Sequence, residues 1–444
     1  MRFLITTLGC KVNQYESQAM EQTLRELGHT EVAPGEAFDL AIVNTCSVTA
    51  VADKKNRNVI RRLRKQCPEA VLAVCGCYSQ VRPEDVRALG ADVVSGSGDR
   101  KGFLSLALQT LEDRQKRELL DNALKRRDFE QLPAGGLSTR TRAMLKVQDG
   151  CSNFCSYCII PYARGPVRSL PLEDALAQVR ELVGAGYREI VVTGIEIASW
   201  GADLKHSTGQ SERLPRLIDA VCRAAAPVRI RLGSLEPRII DEEFCTLLRS
   251  HKNLCPHFHL SMQSGSDAVL ARMRRRYDTA RYLESVALLK RHFPGCAVTT
   301  DMIVGFPGET EAEFQESLAF LRKCSFASMH IFPYSRRPGT PADQMPGQLG
   351  NAVKEARSAA AIAVAEEMNR SFRESMIGTV QAVLFEEEAG SLWTGHAPNS
   401  IRVYAPGEAL HNRVLDVRIT GLYGDGVLGE QVIRNSEQAI RNRS

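Results

Sequence analysis

The sequence predicts an α/β protein built from three parts: an N-terminal parallel-sheet α/β domain, a partial (β/α)6 barrel and a small C-terminal β-barrel module. Strand-like and helix-like segments alternate at the start of the chain, and the alternation resumes after a charged stretch for six further units. The hydrophobic period then changes to two, which is typical of short strands. Because 444 residues are too many for one core, we predict domains at residues 1–111, 143–372 and 375–437 and a charged linker at 112–142.

The N-terminal part contains four predicted strands and three predicted helices. The strands are predicted at residues 3–7, 40–44, 71–74 and 92–94. The helices are predicted at residues 14–27, 51–66 and 103–111. This rhythm indicates a parallel sheet covered by helices. The highly charged stretch that follows predicts a helical connector. Residues 133–136, Pro-Ala-Gly-Gly, then predict a linker.

The middle part repeats the alternation, and the last part does not. Barrel strands are predicted at residues 143–147, 190–193, 228–232, 257–260, 297–304 and 328–332. Barrel helices are predicted at residues 172–184, 214–224, 241–250, 279–292 and 311–324. A long helix at 351–372 precedes short strands at 379–385, 400–404 and 415–420, which predict the β-barrel module. Residues 435–444 are predicted to form a polar tail.

Composition narrows the class of protein. Hydrophobic content of 43% and charged content of 25% are typical of a soluble globular protein, and no apolar run approaches the roughly 20 residues that span a bilayer. The short apolar run at residues 1–6 leads directly into Gly9 and Cys10, so we expect a first strand there and not a signal peptide. Thirteen cysteines, an odd number, argue against a secreted disulfide framework and predict a reducing, cytoplasmic location. A net charge of +5 permits an RNA partner without demonstrating one.

Three cysteines follow the first predicted barrel strand closely. Cys151, Cys155 and Cys158 have the spacing C-x3-C-x2-C, and no His or Cys follows within a few residues. A structural zinc or a purely redox cluster normally has four protein ligands, so three thiolates can hold three irons of a [4Fe–4S] cluster and leave one iron open. The alternative is three core cysteines that have this spacing by chance. In barrels the site lies at the carboxyl ends of the strands, where this triplet falls.

A second set of cysteines is spread over the N-terminal part. Cys10, Cys46 and Cys77 each come just after a different predicted strand. The carboxyl edge of an open parallel sheet is where ligands bind, so these thiols are expected to converge there. On the residues alone, free cysteines in tight βα turns are an equal alternative, and Cys75 competes with Cys77.

These motifs together resemble a known family. The triplet, with Tyr157 before its last cysteine, is similar to the signature of the radical S-adenosylmethionine (SAM) enzymes. Thr7-Leu-Gly-Cys10-Lys-Val-Asn13, Asn44-Thr-Cys46 and Gly76-Cys77-Tyr extend the likeness to the methylthiotransferases over nearly the whole chain. The resemblance implies an enzyme in which the triplet holds the radical SAM [4Fe–4S] cluster with SAM on its open iron. It also implies an auxiliary [4Fe–4S] cluster, with Cys77 rather than Cys75 as ligand, and a C-terminal TRAM-like RNA-binding β domain.

The resemblance also implies cofactor contacts. Gly194, Gln263 and Asp301 occupy strand ends that face the cofactor in such enzymes. For each of them, a structural role at the barrel rim is the alternative.

Three substrate classes are known for such enzymes: isopentenyl-adenosine in tRNA, threonylcarbamoyl-adenosine in tRNA, and an aspartate of a ribosomal protein. The sequences of residues 8–13, 254–259 and 273–277 most resemble those of the threonylcarbamoyl-adenosine group. The substrate of that group carries a carboxylate, which cationic residues would bind. His257 and His259 alternate on one strand and so point to one face. We expect substrate contacts from these two and from Arg274, Arg275 and Arg276; packed histidines and solvated arginines are the alternative.

An RNA partner needs a surface for phosphates. Lys54, Arg57, Arg61 and Lys65 recur at helical spacing beside Cys46, and Arg402 and Tyr404 are further candidates for RNA contact in the module. A solvated helix face is the ordinary alternative. The implied partners are the tRNA anticodon loop and an electron donor such as a flavodoxin or ferredoxin, with no membrane. The competing hypothesis from another class is a non-catalytic RNA-binding protein whose cysteines bind zinc.

Overall fold

The computed structural model describes residues 1–134, 141–204 and 213–432. Its first part is a six-stranded parallel sheet in the order β2-β1-β3-β4-β5-β6. The strands are β1 (Arg2–Thr7), β2 (Thr30–Glu31), β3 (Leu40–Thr45), β4 (Val71–Gly76), β5 (Val93–Ser95) and β6 (Arg117–Leu119). The helices are α1 (Lys11–Glu26), α2 (Ala50–Gln66), α3 (Cys77–Val81), α4 (Pro83–Ala88) and α5 (Arg100–Asp113).

Helices cover both faces of this sheet because alternate strand residues point to opposite sides. Leu40 and Ile42 pack with residues of α1 and α5 on one face, and Ala41 and Val43 pack with residues of α2 and α4 on the other. Burial on both faces explains why β3 and β4 are apolar almost throughout.

The expected helical connector after α5 is wrong. Helix α5 ends at Asp113, and the chain adds β6 as a sixth strand that pairs in parallel with β5. The charged residues that suggested a helix pair instead at the surface, where Arg117 bonds Asp113 and Arg87 bonds Glu118. The loosened end of the predicted linker, at 135–136, and the predicted tail at 435–444 lie outside the described residues.

The second part is an open barrel of seven parallel strands in two sheets, β11-β10-β7 and β12-β13-β14-β15. A parallel bridge between Ile230 and Leu254 connects the two sheets. The strands are β7 (Arg142–Lys146), β8 (Gln148–Asp149), β9 (Arg168–Ser169), β10 (Glu189–Thr193), β11 (Arg229–Leu232), β12 (Ser234–Leu235), β13 (His257–Leu260), β14 (Ala297–Val304) and β15 (Ser328–Pro333). The helices are α6 (Ile160–Arg164), α7 (Leu172–Gly184), α8 (Leu214–Ala225), α9 (Glu242–Leu248), α10 (Asp267–Arg272), α11 (Thr279–His292) and α12 (Glu311–Cys324).

Neighbouring helices cover the two edges of the open barrel. Among the described strands, β7 and β15 are the barrel edges and do not pair with each other. Helix α1 of the first part packs against β7, and helix α13 (Asn351–Ser375) packs against β15. The N-terminal part is therefore attached along one edge of the barrel, close to the first barrel strand.

The third part is a closed five-stranded β-barrel in the order β16-β17-β18-β20-β19. Its strands are β16 (Val380–Ala389), β17 (Leu392–His396), β18 (Arg402–Ala405), β19 (Val414–Tyr423) and β20 (Gly426–Gln431). The sequence did not predict β17 and β20, because glycines interrupt their hydrophobic pattern. Gly395 is required where it stands, since a Cβ there would lie 2.1 Å from the Leu384 carbonyl oxygen. The α/β class and the C-terminal β-barrel are confirmed.

Membrane insertion by a helix finds no support in the described residues: every helix there is too short or too polar to cross a bilayer.

Candidate functional site

Cys10, Cys46 and Cys77 lie at the carboxyl ends of three adjacent strands of the N-terminal sheet. Cys10 precedes α1 as its N-cap, Cys46 follows β3 and Cys77 begins α3 after β4. Because β1, β3 and β4 are parallel neighbours, the three thiols come to the same edge. Gly9, with a φ of +106°, lies so close that a Cβ there would be 2.9 Å from Cys46 Sγ. We call these three residues the N-terminal trio.

Two polar side chains connect the thiols of the N-terminal trio. Cys10 Sγ lies 3.7 Å from Asn13 Oδ1, and Arg164 donates to the same oxygen at 2.7 Å. Arg164 also donates its Nε–H to Cys77 Sγ at 3.3 Å. Since Arg164 is the last residue of α6 in the barrel, a side chain from the second part completes the surroundings of thiols in the first.

Burial disfavours the thiolate forms of Cys46 and Cys77. It raises the pKa of Cys46 to about 12, with a further contribution from the neighbouring Cys77 thiol. Burial also raises the pKa of Cys77, against the opposing effect of Arg164. Because thiolates are the form that ligates metal, positive charge from a bound metal centre is what would stabilise them here.

Cys75 and Cys77 have different surroundings although they are two residues apart. Cys75 is 0% exposed and packs in the apolar core with Phe3 and Phe103. Cys77 lies beside Arg164 at the strand end.

Cys151, Cys155 and Cys158, the barrel trio, line a cavity of about 140 Å³. The loop that carries them is closed by β8 and β9, which form an antiparallel pair that the sequence did not predict. Burial raises the pKa of Cys151 to about 11 and that of Cys158 to about 12. Positive charge from a bound metal centre would therefore also stabilise the thiolates of Cys151 and Cys158.

Arg275 and Glu196 share this small cavity with the barrel trio. Arg275 donates Nη1–H to Cys155 Sγ at 3.1 Å and Nε–H to the Tyr277 hydroxyl at 3.0 Å. Burial, with the nearby carboxylate of Glu236, raises the pKa of Glu196 to about 7. The protein thus places too little positive charge around the Glu196 carboxyl to keep it ionised. A cationic ligand such as an ammonium group would supply that charge.

Six buried charged residues form a network across the interface between the first two parts: Glu16, Arg100, Lys146, Asp149, Arg164 and Arg168. Glu16 accepts hydrogen bonds from Arg164 at 2.7 Å and from Arg100 at 3.2 Å, and Lys146 donates to Asp149 at 2.7 Å. Burial opposes ionisation of Glu16, but Arg164, Arg100 and Lys146 outweigh it and lower its pKa to about 2. Each of the two carboxylates, Glu16 and Asp149, has more than one buried cationic partner.

A much larger cavity, of about 720 Å³, lies between all three parts of the chain; we call it the central cavity. Its polar lining includes Cys10, Lys11, Ser234, His257, His259, Thr299, Asp301, His330, Asn369, Arg373, Asn399, Ser400, Arg402 and Asp425. Two ion pairs lie within it: His259 Nε2 is 3.3 Å from Asp301 Oδ2, and Arg402 is 3.0 Å from Asp425. The volume is sufficient for a modified nucleoside.

A side cavity of about 420 Å³ shares Lys11, His257 and Ser400 with the central cavity. Burial and the positive charges of Arg231 and Lys11 lower the pKa of His257, so its ring is neutral. In the described part of the chain, the buried His257 Nδ1 has no hydrogen-bond partner.

The C-terminal module is attached to the barrel through two arginines of β11. Arg229 donates to the Ala382 carbonyl at 2.9 Å, and Arg231 donates to the Pro398 carbonyl at 2.9 Å. Glu189 accepts from Arg231 at 2.7 Å. Burial alone would raise the pKa of Glu189, but Arg231 and Arg229 lower it to about 2. These contacts hold the module at the wall of the central cavity.

Of the predicted cofactor residues, Gln263 and Asp301 are backbone neighbours, since Gln263 N–H donates to the Asp301 carbonyl oxygen at 2.9 Å. They nevertheless line different cavities. Gln263 lines the small cavity and has a φ of +69°, whereas Asp301 lines the central cavity. Gly194 lines neither, and a Cβ there would lie 2.9 Å from the Gln148 carbonyl oxygen. Glycine at 194 therefore permits a close approach between two loops.

The predicted substrate residues are also divided. His257 and His259 line the central cavity, but Arg275 lines the small one beside Cys155. Arg274 and Arg276 are exposed and line neither.

Among the predicted RNA-binding residues, Lys54, Arg61 and Lys65 are exposed on α2. Arg57 is half-buried and donates to the Tyr78 hydroxyl at 3.2 Å. In the module, Arg402 lines the central cavity, and the Tyr404 hydroxyl donates to Asp425 at 2.8 Å.

Sequence reasoning missed Lys11, Arg164 and Glu196. Each is close in sequence to a residue that was singled out: Lys11 follows Cys10, Arg164 follows the barrel trio within α6, and Glu196 follows Gly194. A survey of charged residues flanking the predicted ligands would have found them.

The donor set of both trios fits an iron–sulfur cluster. Each consists of three thiols, the soft ligands that such clusters take, with an arginine donating to one sulfur. No group of three or more His, Cys, Asp or Glu side chains within residues 1–134, 141–204 and 213–432 is arranged to hold a single metal ion. A [4Fe–4S] cluster binds each thiolate through a different iron, so it takes a wider arrangement than one ion does.

Comparison with known proteins agrees with this geometry. The radical SAM superfamily matches residues 145–321, and a family described as uncharacterized protein family UPF0004 matches residues 2–96. A Bacillus subtilis protein named threonylcarbamoyladenosine tRNA methylthiotransferase MtaB is 39% identical, over 93% of this chain and 92% of its own length. A Maricaulis maris protein named tRNA-2-methylthio-N(6)-dimethylallyladenosine synthase is 34% identical, over 94% of both chains.

The fold has solved counterparts as well. The radical SAM methyltransferase TsrM from Kitasatospora setae, with cobalamin and a [4Fe–4S] cluster bound, superposes with a TM-score of 0.55. The alignment covers 77% of this chain and 74% of that one at 16% identity, so it supports the fold alone. The radical SAM match implies a [4Fe–4S] cluster and SAM. Because it aligns almost end to end with methylthiotransferases and contains the radical SAM barrel, the chain belongs to the radical SAM methylthiotransferase family of enzymes.

Proposed function

We propose that this enzyme converts N6-threonylcarbamoyladenosine next to the anticodon of tRNA, at position 37, to its 2-methylthio derivative. The observation that carries the proposal is the central cavity, which joins Cys10 of the N-terminal trio to His257 and Asp301 of the barrel and to Arg402 of the module. A nucleoside in this cavity has Cys10 of the N-terminal trio at one wall and the barrel at another. The names of the Bacillus subtilis relative and of a Thermotoga maritima relative, 35% identical, support this substrate.

We assign the barrel trio as ligands of the radical SAM [4Fe–4S] cluster and the N-terminal trio as ligands of an auxiliary [4Fe–4S] cluster. When bound, the first supplies the electron that cleaves SAM into a hydrogen-abstracting radical, and the second supplies sulfur. A flavodoxin or ferredoxin is the proposed electron donor. Arg275 and Arg164, each donating to one sulfur, offset part of the negative charge of the thiolates.

The small cavity is the proposed site of SAM. Glu196 and Gln263 line it beside the three thiols. An ammonium group such as that of SAM would satisfy the Glu196 carboxyl, whose pKa is raised to about 7 by burial and by Glu236. Gly194 keeps the neighbouring loop close to Gln148. Asp301, which faces the central cavity with His259, is assigned to the substrate side instead.

The central cavity favours a polar substrate tail. His257, His259 and Lys11 line it, and such groups suit a carboxylate better than an isopentenyl chain, which needs an apolar lining. The rival substrates are isopentenyl-adenosine in tRNA, which the name of the Maricaulis maris relative indicates for that protein, and a ribosomal-protein aspartate.

The proposed tRNA surface runs from α2 to the module. Lys54, Arg61 and Lys65 project from α2, the helix that follows Cys46, and Arg402 lies in the central cavity. Phosphates of the anticodon arm would bind the exposed cations. The target adenosine has to leave its stack to enter the cavity, as bases do for other modifying enzymes.

The cysteine assignments are tested with three alanine variants of the anaerobically reconstituted enzyme. The wild type is expected to hold about eight irons per chain, since each of two clusters contains four. Cys155→Ala should abolish SAM cleavage. Cys46→Ala should retain SAM cleavage and lose sulfur transfer. Cys75→Ala is the matched control, because Cys75 is an equally buried thiol that lies in the apolar core, and it should keep both activities. Sulfur transfer by Cys46→Ala would contradict the two-cluster assignment.

The substrate is tested by mass spectrometry of tRNA nucleosides from a strain lacking the gene. Loss of methylthio-threonylcarbamoyladenosine, restored by the wild-type gene and not by the Cys155→Ala gene, is expected. Loss of the methylthio-isopentenyl nucleoside instead, or an unchanged nucleoside profile with an unmodified ribosomal aspartate, would support one of the rival substrates.

A further inference from the structure

Lys11 differs from the other cations that line the central and side cavities. In the described part of the chain its ammonium group makes no hydrogen bond and no ion pair. The guanidinium groups around it are engaged: Arg142 with Glu386, Arg231 with Glu189, Arg402 with Asp425, and Arg373 with the carbonyl oxygens of Gly424 and Gly426. Lys11 is therefore a solvent-exposed cation at a cavity wall that has no partner within the described residues.

The carboxylates of the two cavities do not neutralise Lys11. Asp301 pairs with His259, Asp425 with Arg402, and Glu386 with Arg142 and His396. Glu387 lines the side cavity but is exposed to solvent. Lys11 is therefore available to bind an anion that enters the cavity.

Two neighbouring features add to the preference for an anion. Lys11 is the first residue of α1, a helix of 16 residues whose N-cap, Cys10, provides no side-chain capping hydrogen bond; the positive end of the helix dipole therefore lies at the cavity. His257 lines both cavities with Lys11, and its buried Nδ1 has no partner in the described residues. A ligand with an anionic group and hydrogen-bonding capacity would satisfy both residues at once.

We propose that Lys11, together with His257, binds the carboxylate of the threonyl group and thereby selects threonylcarbamoyl-adenosine over isopentenyl-adenosine, an inference that rests on the proposed function. An isopentenyl tail would cover the ammonium group without pairing it, which is unfavourable, so one residue both attracts the correct nucleoside and rejects the apolar one. Because Lys11 directly follows Cys10, a carboxylate bound there holds the nucleoside against the N-terminal trio.

The same chemistry would bind a backbone phosphate of the tRNA, so the test separates the two anions. The substrates are an anticodon stem-loop RNA with threonylcarbamoyl-adenosine and the same RNA with that carboxylate converted to the primary amide. Variants Lys11→Gln and Lys11→Arg are compared with the wild type and with Lys252→Gln, a control at an exposed lysine outside both cavities. Iron content and SAM cleavage are measured for each protein.

Lys11→Gln should lower kcat/KM for the carboxylate substrate by about 10-fold to 100-fold, chiefly through KM, because a charge-assisted hydrogen bond is lost. The wild type should lose a similar factor on the amide substrate, and Lys11→Gln should then lose little more. Lys11→Arg should recover most of the activity, and iron content should stay at the wild-type level.

Equal losses for Lys11→Gln on both substrates would indicate a phosphate contact or a structural role and would overturn the proposal. Equal kcat/KM values of the wild type for the amide and the carboxylate substrates would by themselves overturn the proposal. A wild type inactive on both RNAs would instead contradict the proposed function.

Discussion

Arg164 Nε lies 3.3 Å from Cys77 Sγ, although the two residues belong to different parts of the chain. Arg164 ends the short helix α6 that follows the barrel trio, and Cys77 begins α3 at the edge of the N-terminal sheet. The same guanidinium group bonds Glu16 and Asp149, which are both buried. One side chain thus connects the surroundings of both trios.

Replacing Arg164 by Gln should destabilise the protein by about 1–3 kcal/mol, because Glu16 and Asp149 would each lose a buried charged hydrogen-bond donor while their other cationic partners remain. The free energy of unfolding from urea titrations of the metal-free protein measures this. Arg164→Lys keeps the charge and should lose less. Arg61→Gln, at an exposed arginine of α2, should change the stability by less than about 0.5 kcal/mol. A loss for Arg164→Gln no larger than that of Arg61→Gln would be incompatible with the ionised network.

Gly9→Ala should prevent assembly of the auxiliary cluster. The φ of +106° disfavours alanine, and the new Cβ would lie 2.6 Å from Cys46 Cβ, so the Cys46 thiol has to move. Iron analysis after anaerobic reconstitution should find about four irons per chain, those of the barrel trio, with SAM cleavage retained.

Gly28→Ala is the matched control for Gly9→Ala. Gly28 has a φ of +80°, and a Cβ added there would meet no heavy atom within 4 Å, so this variant has the backbone strain without the clash. It should keep about eight irons. About eight irons in both variants would contradict the requirement for close contact between Gly9 and Cys46.

Glu189 should make stability depend on pH in the acid range. Its pKa is lowered from 4.5 to about 2, because Arg231 and Arg229 outweigh the effect of burial. A carboxyl group whose pKa is lowered in the folded state stabilises the fold at pH values above its pKa in the unfolded state. This stabilisation, about 3 kcal/mol in total, is lost as the pH falls from about 4.5 to about 2.

The stability difference between the wild type and Glu189→Gln should therefore shrink as the pH falls below about 4.5. Urea titrations at several pH values measure it. Glu243→Gln, at an exposed carboxylate paired with Arg213, is the control for the same substitution at the surface. A constant difference for Glu189→Gln would mean that Glu189 is not held ionised by the arginines.

The basic face of α2 should contribute to tRNA affinity through phosphates. Replacing Lys54, Arg61 and Lys65 together by Gln should weaken binding and reduce the slope of log K against log salt concentration by about 2–3, since each contact releases roughly one counterion. Filter binding or fluorescence anisotropy over a salt series measures both quantities.

A control with the same loss of charge replaces Arg216, Lys252 and Lys323, which are exposed on the barrel. This variant should bind tRNA with nearly the wild-type salt slope. If both triple variants lower the slope equally, the contribution of α2 is only that of net charge.

Much of the architecture is predictable because it depends on local pattern. Barrel helices α7, α11 and α12 and strands β13 and β14 match the predicted ranges, since hydrophobic period and flanking turn residues are read over short windows. The strands β17 and β20 and the pair β8–β9 were missed, because strands this short or interrupted by glycine are defined by their partners and not by their own pattern.

The candidate site, too, could be predicted only in part from the sequence. The spacing of Cys151, Cys155 and Cys158 within one loop could be interpreted directly from the sequence. That Arg275 bonds Cys155 while Arg274 and Arg276 face solvent could not. Three consecutive arginines look alike in sequence, and the positive φ of Arg274 is one of the backbone angles that separate them.

By itself, the sequence determined the class of fold, the order of its three parts and the two sets of cysteines, since these depend on periodicity and spacing along the chain. Only the tertiary structure decided that Arg164 reaches Cys77, that Glu196 faces the barrel trio, and that Lys11 stands unpaired at the wall of a cavity shared by all three parts. Those relationships cross from one part to another, and they are set by how the packed faces of the parts fit together rather than by any local pattern.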